Sequence, residues 1–376
     1  MSIAQGSTIL ITGGAGFIGS HLADELLNHG YRVRVLDCLV PQVHGLKRRR
    51  PDYLDKEVEL LVGDVRDADS VRQALRGVTG VCHLAAAVGV GQSMYEVLDY
   101  TDTNDLGTAV VLQELIRHPV ERLVVASSMS IYGEGCYTDV DGVRYRNASR
   151  SGRDLSDRVW DPKDQSGRSL HPVPTTEDKS PELSSVYALN KFVQERMCLL
   201  VGAAHSIPTL ALRFFNVYGR RQALSNPYTG VVAIFAARYL NNSAPLIYED
   251  GHQLRDFVHV SDVARACRLA LEDEETSACA LNIGSGQYIS VLDVARKIGE
   301  VLNSAEIEAV VTGKYRVGDI RHCYADIDNA RELLSYEPQI DFAEGIADLA
   351  EWLREQNVVD NCDAAARELE KRGLAL

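Results

Sequence analysis

The chain has 376 residues, 45% of them hydrophobic and 24% charged, enough to bury a large core and to form two lobes. Its formal net charge of -14 excludes a nucleic-acid partner, which clustered Lys and Arg would have to hold, but not a phosphorylated small molecule gripped by a few arginines in one pocket. The polar start and the short apolar run at 8–12 exclude a signal core or membrane span, and eight scattered cysteines without a C-x-x-C pair are expected to be reduced thiols in a cytoplasmic protein, with no disulfide and no metal site.

In chain order, β-branched runs at residues 8–12, 32–36, 58–62, 81–84, 123–127 and 209–214 predict strands. Amphipathic stretches at 16–29, 68–76, 103–118 and 186–205 predict helices between them. Strand and helix in alternation mean parallel pairing through right-handed crossovers, an α/β fold with a Rossmann-type doubly wound sheet. The expected division places a dinucleotide-binding domain at 1–215, with 257–275 returning to it. Residues 216–256 and 276–376 are expected to form a smaller mixed α/β lobe at the carboxyl ends of the strands, closed by a helix near 342–355. The tail beyond Asn357 has a helical pattern, and no internal repeat is visible. One insertion, 134–174, lacks clear periodicity. It is expected to be a lid or a surface loop, with Arg144, Arg146, Arg150, Arg153, Arg158 and Arg168 on a solvated face.

Directly after the first strand, Gly13, Gly14, Ala15, Gly16, Phe17, Ile18 and Gly19 open a helix. Gly13 permits the tight turn, Gly16 lets backbone approach a pyrophosphate, and Gly19 lets helix pack on strand. The phosphates would then meet free N–H groups at the positive helix end. Asp37 closes the second strand, where a carboxylate accepts hydrogen bonds from the adenosine ribose hydroxyls. It would repel a 2′-phosphate, which favours NAD over NADP. The run Lys47, Arg48, Arg49 and Arg50 is then a solvated face.

Tyr187 and Lys191 stand four apart, on one face of a helix. An ammonium and a positive nicotinamide ring both favour the phenolate of a tyrosine whose free pKa is near ~10. Tyr187 can then act as a base toward a sugar hydroxyl. Ser128, at the end of the 123–127 strand, is placed to hydrogen-bond the same oxygen.

With these residues in hand, the chain resembles the extended short-chain dehydrogenase/reductase family, in particular its nucleotide-sugar epimerase branch. The matching stretches are TGGAGFIGS (12–20), GDVRD (63–67), HLAA (83–86), N-x-x-GT (104–108), SSMSIYG (127–133), YALNK (187–191), RFFNVYG (213–219), RDFVHVSD (255–262), LNIGSG (281–286) and RVGD (316–319). The resemblance implies that Asp64 and Val65 flank the adenine, that Leu84, Ala85 and Ala86 line the cofactor, and that Asn104 braces them. It also implies that Asn216, Arg255, Arg316 and Asp319 grip the substrate's diphosphate and nucleoside, as guanidinium forks suit phosphate oxygens.

Dehydratases of the family carry an Asp-Glu pair after the serine, and decarboxylating relatives a Glu. This chain has Met129 and Ser130, neither of which is a general acid or base at neutral pH. Reversible oxidation at one carbinol remains, so a 4-epimerase working through a 4-keto sugar is expected. The stretches 85–96 and 221–235, with the insertion, resemble dTDP-L-rhamnose 4-epimerases, and some UDP-sugar epimerases share parts of them. Segment 85–96 has no Arg or Lys for a hexuronate carboxylate, which leans toward a neutral or deoxy sugar. The insertion has a single cysteine, Cys136, too few for a zinc staple. The alternatives are a UDP-glucose or UDP-glucuronate 4-epimerase, a dehydrogenase or reductase with net NAD(P) turnover, and a non-catalytic NAD-binding scaffold. The resemblance also implies a homodimer through the helices at 103–118 and 186–205, whose stripes include Leu112, Leu115 and Ile116, and Leu199 and Leu200.

Overall fold

The computed structural model describes residues 3–224, 230–316, 318–356 and 362–375. Its centre is a seven-stranded sheet in the order Cys279–Ile283, Thr209–Phe214, Arg122–Ser128, Gly80–His83, Thr8–Thr12, Arg32–Asp37, Glu59–Val62. All its pairings are parallel. The chain builds outward from Thr8–Thr12 in one direction, then resumes at Gly80–His83 on the other side. The crevice outside the carboxyl ends of these two strands is therefore the topological switch point, where ligands of such sheets bind.

Period-2 alternation distributes each strand between two cores. Ile9 and Ile11 face a core with Leu22, Leu26, Val263 and Cys267, on the helices Phe17–Asn28 and Val260–Glu272. Leu10 faces the other, with Val71, Leu112, Leu115 and Leu199 on the helices Ala68–Ala74, Gly107–Arg117 and Val186–Ala204. The expected strand runs all occur, with ends shifted by a residue or less. A seventh strand, Cys279–Ile283, was not expected. It pairs with Thr209–Phe214, although 276 onward was assigned to the second lobe. Tyr132 explains its docking: its hydroxyl donates to Asn282 Oδ1 at 2.6 Å and accepts from Arg213 Nη1 at 2.8 Å.

The helix expected at 103–118 begins instead with a π-helical turn, Asp102–Leu106, before Gly107–Arg117. The second lobe is packed from Val231–Leu240, Val291–Val301 and Phe342–Leu353 around Tyr218, Phe235, Ile298 and Leu349. Of the helical tail, 357–361 lie outside the described residues. Cys362–Lys371 is a helix that touches both lobes. Leu369 would lie 3.2 Å from a Cβ on Gly91, Arg372 sits 4.1 Å over the Tyr95 ring, and Lys314 pairs with Glu370 at 2.6 Å.

Segment 134–174 departs most from expectation. It is a three-stranded antiparallel sheet, with Cys136–Thr138 between Arg144–Tyr145 and His171–Val173, and a short helix Gly152–Ser156. Strands of two or three residues are too short to show a period. The segment is fixed by charge instead. The Arg150 side chain is 5% exposed and pairs with Glu134 at 3.0 Å and Glu249 at 2.6 Å. Arg321, 2% exposed, holds Asp161 at 2.8 Å, Glu249 at 3.0 Å and Asp250 at 2.6 Å. The solvated reading suits Arg153, whose side chain is 91% exposed, and fails for Arg150. Removing one partner of a buried pair leaves a charge uncompensated. Arg150→Ala should therefore cost on the order of 3 kcal/mol, the low end of the range because Arg321 still serves Glu249, whereas Arg153→Ala should stay within about 0.5 kcal/mol. Urea unfolding midpoints of the two variants check this.

Candidate active site

The cleft at the switch point is a cavity of about 620 Å³. One wall is the glycine loop. Gly13 has φ +69°, and a Cβ there would lie 2.9 Å from the Ala85 backbone. A Cβ on Gly19 would meet Gly14 Cα at 2.5 Å and the Gly13 carbonyl at 2.6 Å, so the helix can sit this close only as glycine. Gly16, the N-cap of Phe17–Asn28, offers no side-chain cap. The N–H groups of the first turn are thus left for an anion.

Gly13, Gly16, Phe17, Ile18 and Gly19 line the cavity together with Asp37, Asp64, Val65, Leu84, Ala85 and Ala86. Asp37 ties this wall together, accepting from Ala15 N at 3.0 Å and Leu39 N at 2.8 Å. The cradle, the uncapped helix end and the carboxylate fit a dinucleotide. Lys47, Arg48 and Arg49 are exposed, and Arg50 donates to the carbonyl of Val58 at 3.1 Å. None of the four lines the cavity.

Farther in, Ser128, Tyr187 and Lys191 converge. Ser128 ends its strand and lines the same cavity as Tyr187, whose phenol it pulls down. Ser185 caps the helix by accepting from Ala188 N at 3.1 Å, while Tyr187 N donates to Ser93 Oγ at 3.0 Å. Lys191 Nζ donates to the Ala126 carbonyl at 3.1 Å. Beneath them Glu195 accepts from Ser127 Oγ at 2.6 Å and from Arg213 at 2.9 and 2.7 Å, which ties helix and strands into one rigid floor.

The electrostatics differ from expectation. Burial pushes Tyr187 up to about 12, against a downward pull from Ser128, and burial holds Lys191 down at about 8. In the protein alone, then, desolvation governs the phenol and keeps it protonated. The phenolate needs a further positive charge in the cavity. Met129 and Ser130 are buried beside Ser128, and Ser130 donates to Ser128 Oγ through N at 3.2 Å and Oγ at 2.9 Å.

The remaining residues, those expected to hold substrate and Asn104, expected to brace the cofactor wall, divide. Asn216 lines the cavity and donates to the Asp256 carbonyl at 2.8 Å. Asn104 lies behind the wall, accepting from Ala87 N at 2.7 Å and donating to Ala87 O at 3.1 Å. Arg255, Arg316 and Asp319 are not among the lining residues. The Arg255 guanidinium donates to the carbonyls of Leu254 at 2.9 Å and Arg321 at 2.8 Å, and lies 3.9 Å from Asp319 Oδ1. Arg316 stacks 4.2 Å over the Tyr248 ring. Of the stretches singled out above, 225–229 and Val317 lie outside the described residues. Two further residues line the cavity: Gln222, buried in its wall with Oε1 unpartnered among the described residues, and His44, 3.8 Å from Asp37. Gln222 falls in the 221–235 stretch, which could have marked it, whereas no motif marks His44.

Residues 9–151 and 162–284 match the model of the NAD dependent epimerase/dehydratase family. A dTDP-L-rhamnose 4-epimerase of Burkholderia thailandensis is 35% identical, over 94% of this chain and 97% of that protein. The chain belongs to the NAD dependent epimerase/dehydratase family.

Two solved structures of UDP-glucose 4-epimerases resemble this family member. The Thermotoga maritima protein, with UDP-glucose, has a TM-score of 0.74 and 28% identity, covering 93% of this chain and 99% of its own. The Thermus thermophilus protein, in complex with NAD, has a TM-score of 0.73 and 29% identity, covering 93% and 100%. For an NAD-dependent family member the close packing at Gly19 should be unforgiving. Gly19→Ala forces backbone against backbone, an overpacking cost of about 1–3 kcal/mol. Its melting temperature should fall, and NAD should restore less of it than in the wild type; a thermal shift series with increasing NAD reads both.

Proposed function

We propose that the protein is a nucleotide-sugar 4-epimerase, oxidising C4 to a ketone and returning hydride to the opposite face. The observation that carries this is the convergence of Ser128, Tyr187 and Lys191 on the cavity that the glycine loop lines. NAD supplies a reversible hydride acceptor at the carbinol carbon. Tyr187 takes the hydroxyl proton and returns it, Ser128 holds the same oxygen, and Lys191 keeps the phenolate favourable while anchored on Ala126. Gly13, Gly16, Phe17, Ile18 and Gly19 bind the pyrophosphate, Asp37 the ribose, and Asp64, Val65, Leu84, Ala85 and Ala86 the rest of the dinucleotide. With Ser130 where a carboxylate would be needed for elimination, no group is placed to expel water.

The substrate in this reading is dTDP-L-rhamnose or a related dTDP or UDP sugar. Among the described lining residues the Lys and Arg side chains are Lys191 and Arg66. Lys191 serves the phenol, and Arg66 pairs with Asp64 at 2.6 Å and with Asp102. A hexuronate carboxylate would find no spare cation, which favours a neutral or deoxy sugar over UDP-glucuronate. Asn216, Arg255, Arg316 and Asp319 hold the diphosphate and nucleoside once Arg255 exchanges carbonyl oxygens for phosphate. The test is incubation with a panel of dTDP and UDP sugars without added NAD, with products separated by chromatography. A 4-epimer should form with no net NADH. Tyr187→Phe should lower kcat by at least about 10²-fold, the share of general acid–base catalysis, while NAD stays bound. Stoichiometric NADH, or a Phe variant near wild-type activity, would overturn the reading.

We further propose a cytoplasmic homodimer. Leu112, Leu115 and Leu199 are buried under the sheet, but Leu200 is 61% exposed and Leu189 is 45% exposed. Eleven residues apart, these two share one helix face, and Leu106 adds a third exposed apolar side chain. Light scattering should give twice the chain mass for the wild type and the single chain mass for the Leu189→Glu, Leu200→Glu double variant.

A further inference from the structure

We propose that His83 is a positioning residue for the dinucleotide, locking the 84–87 wall of the cavity in place as a neutral ring with its proton on Nε2. The inference rests on the dinucleotide reading of that cavity.

The argument is a count of protons along a buried chain of hydrogen bonds. Thr12, His83, Asn104, Thr108 and Gln194 are all 2% exposed or less. Thr108 Oγ1 lies 2.6 Å from the Asn104 carbonyl. A carbonyl only accepts, so the single Thr108 hydroxyl proton goes there. Thr108 Oγ1 then has acceptor sites alone for its two other neighbours, Gln194 Nε2 at 2.8 Å and His83 Nε2 at 2.9 Å. His83 must therefore donate from Nε2.

The other ring nitrogen follows. Burial pushes His83 down to about 3, and the Lys191 ammonium, the charged group that faces it, adds to this. The ring is neutral, so Nδ1 carries no proton and accepts from Thr12 Oγ1 at 2.7 Å. Thr12 Oγ1, its proton committed, accepts in turn from Ala85 N at 3.2 Å. Every bond thus points one way, from Ala85 N–H through Thr12, His83 and Thr108 to the Asn104 carbonyl.

The circuit closes on the same wall, because the Asn104 side chain holds both N and O of Ala87. Ala85 also packs on Gly13, so the phosphate loop and the 84–87 wall are set by one network. A protonated ring would reverse the Thr12 bond, take away the acceptor of the Thr12 hydroxyl proton and add a second cation beside Lys191.

A neutron crystal structure at pH 7 tests the tautomer directly, with deuterium expected on Nε2 and none on Nδ1. Calorimetric titration with NAD tests the positioning. His83→Phe keeps the ring's bulk but loses both bonds, and should weaken NAD binding by about tenfold, as expected for two hydrogen bonds partly replaced. Thr12→Val should weaken it severalfold with the imidazole intact, which keeps the question answerable if the Phe variant does not fold. His83→Gln, which can still donate toward Thr108, should recover part of the loss. Deuterium on Nδ1, or wild-type NAD affinity in folded His83→Phe or Thr12→Val, would overturn the proposal alone. Failure of the wild type to bind NAD would remove the dinucleotide reading and the proposal with it.

Discussion

The approach of Gly13 to the backbone of Ala85 is the constraint around which the rest of the site is arranged. Two parallel strands diverge at this point, and the chain on each side must turn within a few ångströms of the other. The turn after Thr12 is possible because Gly13 adopts a positive φ. The turn after His83 is held by side chains from behind. What is left between them is a crevice floored by backbone, with a helix end aimed into it. A Cβ at this contact would separate the two loops and with them the cofactor wall from the phosphate cradle.

Deeper in the cavity the governing quantity is desolvation. Burial shifts both Tyr187 and Lys191 toward their neutral forms, and it leaves the phenol protonated in the protein alone. The scaffold supplies geometry: a serine at a strand end, a tyrosine in the first turn of a long helix, and a lysine one turn on. It leaves the final charge balance to what enters the cavity. In the proposed reading such an arrangement would couple the basicity of the phenol to cofactor occupancy, since a cation alongside favours the phenolate.

Much of this was legible in the sequence because the signals are local. The glycine loop, Asp37 and the Tyr187–Lys191 pair are fixed by their spacing along one strand or one helix, and the six strand runs are long enough to show burial. The remainder depends on pairings between distant residues. Cys279–Ile283 is a five-residue run, apolar except for Asn282, that joins the main sheet through contacts such as Asn282 with Tyr132. The insertion has no period to find, since its order comes from Arg150 and Arg321 meeting carboxylates up to 160 residues away in the chain. Arg255 was expected on the motif around it to face a phosphate. Within the Leu254–Arg255 strand, paired with His322–Cys323, its guanidinium donates to backbone carbonyls, contacts that no motif encodes.

The C-terminal helix has one more consequence. It is fastened to 91–95 on the nucleotide-binding side and to 314–316 on the other. Any widening of the crevice has to peel Leu369 and Arg372 off the first of these or drag the second along. The helix thus works as a brace, joining 91–95 to 314–316 through contacts that any relative movement of the two would have to break.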